Sequence, residues 1–126
     1  MILVDTNVLI APPAEWPDDD FGASMLTLAE LHFGIEHAKS SAEQLSRTER
    51  VNTYRSSIEW IPFDEYSAEA YGKLASLVAR SRSAHTRRAD IFIAAQACAL
   101  NVPLMTRNAR DFELVKNMVE IIDVVT

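Results

Sequence analysis

Four acidic side chains stand where the surrounding sequence is apolar. Asp5 follows Met1-Ile2-Leu3-Val4, Glu30 sits within Leu28-Ala29-Glu30-Leu31, Asp90 lies at the head of the run from Ala89 to Leu100, and Asp111 precedes Phe112. Each has a structural reading. Thr27-Leu28-Ala29-Glu30 matches a capping box, in which the glutamate reaches back to the N-cap amide. A first-turn aspartate such as Asp90 or Asp111 is favoured by the helix dipole, and Asp90 could also pair with Arg87 or Arg88. Asp5 is harder to explain as surface decoration, because it ends a run that reads as a buried strand. Gathered in one crevice, four carboxylates would repel one another and raise their own pKa values. A hard divalent cation such as Mg²⁺ or Mn²⁺ relieves that repulsion and prefers oxygen ligands. Thr6, Asn7, Thr106 and Asn108 add short hydroxyls and amides able to orient ligands or bound waters.

The elements that must position these groups follow from local patterning. Met1 to Val4 is apolar without alternation, the habit of a strand covered on both faces of a parallel sheet. Ligands of open α/β sheets bind beyond the carboxyl ends of such strands, where Asp5 falls. Val8-Leu9-Ile10 can begin a helix, but Pro12, Pro13 and Pro17 oppose its continuation. Asp18-Asp19-Asp20 reads as a solvated loop, since consecutive side chains point apart. A helix starting at Ser24 or Thr27 runs through Leu31, Ile35 and Ala38, with Gly34 allowing close packing. His32 and His37, five apart, read as surface residues. A polar helix follows from Ala42 to Ile58, with Val51, Tyr54 and Ile58 as a narrow stripe. These two helices either pack on the sheet or offer a groove to a partner segment.

Trp60 to Phe63 reads as an edge strand because of Pro62, and Ser67 as the cap of a helix carrying Tyr71, Leu74, Leu77 and Val78. A basic turn from Arg80 to Arg88 leads into Ala89–Leu100, apolar nearly all round and so expected to be buried. Asn101 suits the end of that helix. Val102 to Thr106 is a further strand, Asn108 a cap for a short helix holding Asp111 and Phe112, and Met118 to Val125 the last strand. Strands alternate with helices, which predicts a three-layer α/β/α domain with a central, mostly parallel sheet, spanning residues 1–126 as a single unit.

Bulk composition narrows the function classes. The 126 residues are 48% apolar and 24% charged, the balance of a globular domain. No apolar run approaches the ~20 residues of a membrane span and no leader pattern opens the chain, so a cytoplasmic location is expected. Cys98, the one cysteine, reads as a small buried hydrophobe. A formal net charge of −6 argues against a protein that coats nucleic acid, whose affinity comes from neutralised phosphates. An enzyme that meets nucleic acid through a metal site and a small basic rim is compatible with it.

Val4-Asp5-Thr6-Asn7-Val8-Leu9, Leu28-Ala29-Glu30-Leu31 with Gly34, Arg88-Ala89-Asp90-Ile91-Phe92-Ile93-Ala94-Ala95, and Thr106-Arg107-Asn108 with Asp111-Phe112 resemble, in order, the successive motifs of PIN-domain ribonucleases. The closest likeness is to the toxin half of bacterial VapBC toxin–antitoxin pairs. The resemblance implies that Asp5, Glu30 and Asp90 form an acidic metal-binding core, with Asp111 as a more variable fourth catalytic acid and Thr6, Asn7, Thr106 and Asn108 in support. It implies Mg²⁺ or Mn²⁺, hydrolysis of a folded cellular RNA such as a transfer RNA or ribosomal RNA loop, inhibition by a cognate antitoxin, and a homodimer. One departure stands out: the family usually has a helix between its first two motifs, whereas the segment from Ala11 to Gly22 is short and proline-laden. That segment bears on one wall of the cleft.

Arg82, Arg87, Arg88, Arg107 and Arg110 crowd in sequence near Asp90 and Asn108. They could guide RNA phosphates or merely compensate the acids. Two other classes compete. A haloacid-dehalogenase-like phosphatase wants a second Asp two residues after Asp5, where this chain has Asn7. A non-enzymatic receiver-like signalling module would use Asp64 as phospho-acceptor, but it wants a lysine after a late strand, where Arg107 stands. A degenerate member that only binds RNA or its partner would lack some of the four acids.

Overall fold

The computed structural model describes residues 1–81 and 88–125. Five strands, β1 (Ile2–Val4), β2 (Phe21–Ser24), β3 (Glu59–Ile61), β4 (Leu104–Thr106) and β5 (Ile121–Asp123), form one sheet in the order β3-β2-β1-β4-β5. Every pairing is parallel, so the expected "mostly parallel" sheet is wholly so among the described residues. The chain builds outward from β1 through β2 to β3, then returns to the other side of β1 for β4. That places a topological switch point between β1 and β4, where the crevice of a doubly wound sheet opens.

Side-chain alternation sorts the central strands onto two cores. Ile2 and Val4 face one way with Met105, against Val8, Leu9, Leu31, Ile35 and Val51 from α1 (Thr6–Ile10), α2 (Met25–Glu36) and α3 (Ser41–Ser57). Leu3 and Leu104 face the other way, against α4 (Glu65–Ala79), α5 (Arg88–Leu100) and the 3₁₀ helix Ala109–Val115. The unbroken apolar run at the chain start is therefore explained by burial on both faces. α5 is the most enclosed helix, with Ile91 and Ile93 through Ala97 buried. It ends as expected at Asn101, whose φ of 55° supplies the left-handed turn, while Val102 N donates to the Ala97 carbonyl at 3.0 Å.

Several expectations need correction. Strand β2 was not anticipated: Phe21-Gly22-Ala23-Ser24 has weak strand propensity and becomes a strand only by pairing with β1 and β3. It passes into α2 without a loop, since Ser24 both ends the strand and caps the helix, its hydroxyl accepting from Leu26 N at 2.9 Å. Thr27 is thus no cap. α2 ends at Glu36 rather than Ala38, and β5 is shorter than Met118–Val125. The edge strand is Glu59–Ile61 rather than Trp60–Phe63. Asp64, not Ser67, caps α4, accepting from Ser67 N at 2.9 Å. Asn108 precedes the 3₁₀ helix without a side-chain cap bond. No helix among the described residues is long and apolar enough to cross a membrane. Cys98 is partly buried and packs against the core, as expected.

The proline-laden segment after α1 forms no helix, and long side chains hold its start. Tyr54 Oη donates to the Leu9 carbonyl, Arg50 Nη1 to that of Ile10 (both 2.8 Å), and Arg107 Nε to that of Ala11 at 2.6 Å. Those carbonyls are the unpaired acceptors of a helix cut short after five residues. Burial pushes the Tyr54 hydroxyl pKa upward, partly offset by the Arg50 charge.

Candidate active site

β1 delivers Asp5 to the switch point, where it is 4% exposed. Both oxygens of its carboxylate are held: Oδ1 accepts from Thr6 N and Oδ2 from Thr106 Oγ1, each at 2.8 Å. Thr106 ends β4, so this bond ties the two strands that flank the switch. Its hydroxyl is fully used, donating to Asp5 while accepting from Asn108 N at 3.1 Å and Asn7 Nδ2 at 3.3 Å. Asn7 completes the clip, its Oδ1 accepting from Arg107 N at 3.1 Å. The polar pair after β1 and the polar run after β4 therefore fix each other across about a hundred residues of chain.

Thr6 reaches the opposite way. Its hydroxyl donates to Glu30 Oε1 at 2.9 Å and lies 2.9 Å from Thr27 Oγ1. One hydroxyl carries one proton, so Thr27 must be the donor in the second bond. Glu30 is thus not the far half of a capping box. It faces the end of β1, half-buried, because β2 turns directly into α2 and brings position 30 round to α1. Thr27, fully buried, is a site residue that sequence reasoning assigned to a cap. Its spacing of three from Glu30 on one helix face was the available signal.

Asp90 is buried in the first turn of α5. α5 feeds the start of β4, so a helix of roughly 20 Å running along the sheet begins at the carboxyl edge. Phe92, one turn in, packs on Phe63 just beyond the end of β3 (ring centroids 5.1 Å apart) and stacks on Tyr71 at 4.5 Å. Gln96 Nε2 donates to the Ile61 carbonyl at 3.0 Å, which fixes the same register. Asp111 is exposed in the first turn of the 3₁₀ helix that follows β4, its amide bonded to the Asn108 carbonyl at 2.9 Å. Asp5, Glu30, Thr6, Asn7, Thr106 and Thr27 are joined by hydrogen bonds. Asp90 and Asp111 are brought to the same edge by the direction of their helices.

The donor chemistry fits a hard cation: carboxylate oxygens and hydroxyls. Among the described residues no three Asp, Glu, His or Cys side chains converge as a ready-made metal cage. Mg²⁺ does not need one, since it keeps several waters and is commonly bound through one or two carboxylates plus substrate phosphates. Of the basic residues, Arg88 and Arg110 are exposed at this edge, whereas Arg107 is engaged with Ala11; Arg82 and Arg87 lie outside the described residues. Asp64 sits past the outermost strand, where its bond from the Ser67 amide holds the carboxyl below the usual carboxylate range. It is a helix cap rather than a phospho-acceptor, and Asn7 is a structural clip where a phosphatase would place its second acid.

Comparison with known proteins identifies the family of the fold. The PIN domain family matches residues 2–117. Ribonuclease VapC2 of Rickettsia felis is 24% identical over 129 residues, covering 93% of each chain. Among solved structures, VapBC-5 of Mycobacterium tuberculosis, described as a member of the VapBC family of toxin–antitoxin systems, superposes with a TM-score of 0.86 at 30% identity over 97% of both chains. FitAcB of Neisseria gonorrhoeae gives 0.76 at 26% identity over 98% of this chain and 97% of its own. A family match over residues 2–117, with a superposition over 97% of both chains, leaves one assignment: this chain belongs to the PIN domain family.

Proposed function

We propose that the protein is a metal-dependent endoribonuclease that hydrolyses RNA phosphodiester bonds, acting as the toxin of a toxin–antitoxin pair. The observation that carries this reading is the chain of bonds Thr106–Asp5–Thr6–Glu30, which holds two carboxylates from separate elements at the switch point. Ribonuclease VapC2 and the VapBC-5 structure lend the activity and the toxin–antitoxin setting by likeness.

In this reading Asp5 and Asp90 hold the cation, with Glu30 and Asp111 acting directly or through water. A Mg²⁺ or Mn²⁺ ion held by Asp5 and Asp90 would supply Lewis acidity for phosphodiester hydrolysis by water, so no side chain need attack. The protein's own part is positional. Thr106 and the Thr6 amide fix both oxygens of Asp5, and Thr6 orients one oxygen of Glu30. Exclusion of water around Asp5 strengthens every interaction made there. Thr106, Asn7 and Asn108 keep the two flanking strand ends in register. Arg88 and Arg110 steer phosphates to the edge, with Arg87 and Arg107 flanking them in sequence.

The substrate is a folded cellular RNA cut in a single-stranded loop, as in a transfer or ribosomal RNA, because unpaired bases are the ones a protein can read. A cognate antitoxin would lie in the cleft of about 430 Å³ between α2 and α3, whose floor is Ile10, Leu31 and Val51 and whose wall includes Glu30. Seated there, it would shut the site. A homodimer completes the proposal.

The test is incubation of purified protein with structured RNA and Mg²⁺ or Mn²⁺, with and without chelator, beside a generic phosphomonoester. Chelator-sensitive RNA cleavage that Asp5→Asn abolishes is expected. Turnover of the monoester alone would reject the ribonuclease in favour of a phosphatase.

A further inference from the structure

α2 carries an exposed feature that the site does not use. Phe33 is 67% exposed and stacks on His37, with ring centroids 5.2 Å apart and planes inclined by 16°. Glu30, Phe33, Gly34 and His37 follow the i, i+3, i+4, i+7 spacing and so share one stripe of the helix. Phe33 therefore lies one turn below the carboxylate that Thr6 binds. At the same turn the Arg47 guanidinium, reaching over from α3, donates to the Gly34 carbonyl and pairs with Glu43. The space beside Gly34 is open: a Cβ there would make only an ordinary contact with Arg47 Nη1, at 3.9 Å. A guanidinium has five donors, and Arg47, its charge paired with Glu43, spends two of its nitrogens here and keeps N–H groups for a further acceptor.

We propose that this stripe is a stacking platform for the single-stranded RNA flanking the scissile phosphate, with an unpaired base on the Phe33–His37 pair and a phosphate at Arg47. The inference rests on the ribonuclease reading and adds residues that hold the strand. The protein carries a net charge of −6, so contacts with the bases add to the affinity that a few local arginines gain from phosphates. Unpaired bases stack on exposed aromatic rings whatever their sequence. A parallel aromatic pair beside an ordered guanidinium, one helical turn from a site carboxylate, has the chemistry of such a strand.

The test uses the full chain in an Asp5→Asn background, so that RNA stays whole in Mg²⁺. Binding of a fluorescent twelve-nucleotide oligo(A) and of an abasic strand of the same length is read by anisotropy. Phe33→Ala should weaken oligo(A) binding about tenfold, leave the abasic strand unchanged, and be reversed in Phe33→Trp. Leu45→Ala, an exposed apolar residue off this stripe, should change neither. Equal losses on both strands would show a merely structural effect and overturn the platform. So would unchanged RNA binding with altered oligomeric mass, which would give Phe33 to a protein contact. Failure of the Asp5→Asn parent to bind either strand would overturn the platform, whereas absence of chelator-sensitive cleavage of structured RNA by the unsubstituted protein would overturn the ribonuclease reading.

Discussion

Thr6 and Thr106 do the positioning that lets Asp5 and Glu30 act together. Neither touches solvent appreciably, and each exhausts its hydroxyl on site partners. Thr6→Val keeps the shape while removing the bond to Glu30 and stranding the Thr27 hydroxyl. It should lower cleavage about 10–100-fold, the usual cost of losing a group that orients a ligating side chain, with little change in the fold by circular dichroism. Thr106→Val should be as harmful or worse, because it removes the hydroxyl bond to Asp5 Oδ2 and leaves Asn108 N and Asn7 Nδ2 without that acceptor. Steady-state rates in Mg²⁺ check both. If Thr6→Val cleaves at the parental rate, the bond to Glu30 has no bearing on catalysis.

The junction of β2 and α2 is the element on which the site turns, because it aims Glu30 at α1. Ser24 is fully buried and holds the helix end, so Ser24→Ala should cost about 1 kcal/mol, read by urea titration. Gly22 is equally constrained. A Cβ there would come within 2.9 Å of both Ile61 Cδ1 and Met1 Sδ, and 3.4 Å of the Glu59 carbonyl. Gly22→Ala should cost about 1 kcal/mol, the low end of overpacking, because the Ile61 and Met1 side-chain ends must shift to admit the methyl group. The cap of α4 adds a pH signature. Hydrogen bonding from Ser67 lowers the Asp64 pKa below its ordinary 3.8. A depressed carboxyl contributes stability that is present above its unfolded value and lost as pH falls through the folded one. Asp64→Asn should therefore flatten the acid limb of the stability curve below about pH 4 and lower stability at neutral pH, where the charged cap's contribution is fully present, as thermal melts at stepped pH would show.

At the scale of the whole molecule the sign of the charge sets how RNA and metal are met. With a net charge of −6 and few arginines at the carboxyl edge, RNA affinity should fall only gently with salt. A log–log slope no steeper than about −2 corresponds to roughly three phosphates neutralised on a single strand, and anisotropy titrations across salt concentrations measure it. Mg²⁺ should raise the melting temperature, by an amount set by its binding: about 2.7 kcal/mol at a hundredfold excess over the dissociation constant. Asp5→Asn should blunt that rise. A melting temperature indifferent to Mg²⁺ in the parent would count against a cation at the switch point.

Much of this arrangement was legible along the chain. The buried strand before Asp5, the enclosed helix begun near Asp90, the left-handed turn at Asn101 and the edge position of β3 all follow from local apolar patterning and backbone preference. The order of the four acidic motifs was equally plain. What local patterning could not supply was pairing and direction. Phe21-Gly22-Ala23-Ser24 is a strand only because β1 and β3 lie on either side of it, and with that strand unseen Thr27 and Glu30 read as a helix cap. Sequence by itself determined which side chains are available for chemistry, since burial pattern and residue type are local. Only the tertiary structure decided which of them meet, because the hydrogen bonds from Thr106 to Asp5 and from Thr6 to Glu30 close across 101 and 24 positions of chain.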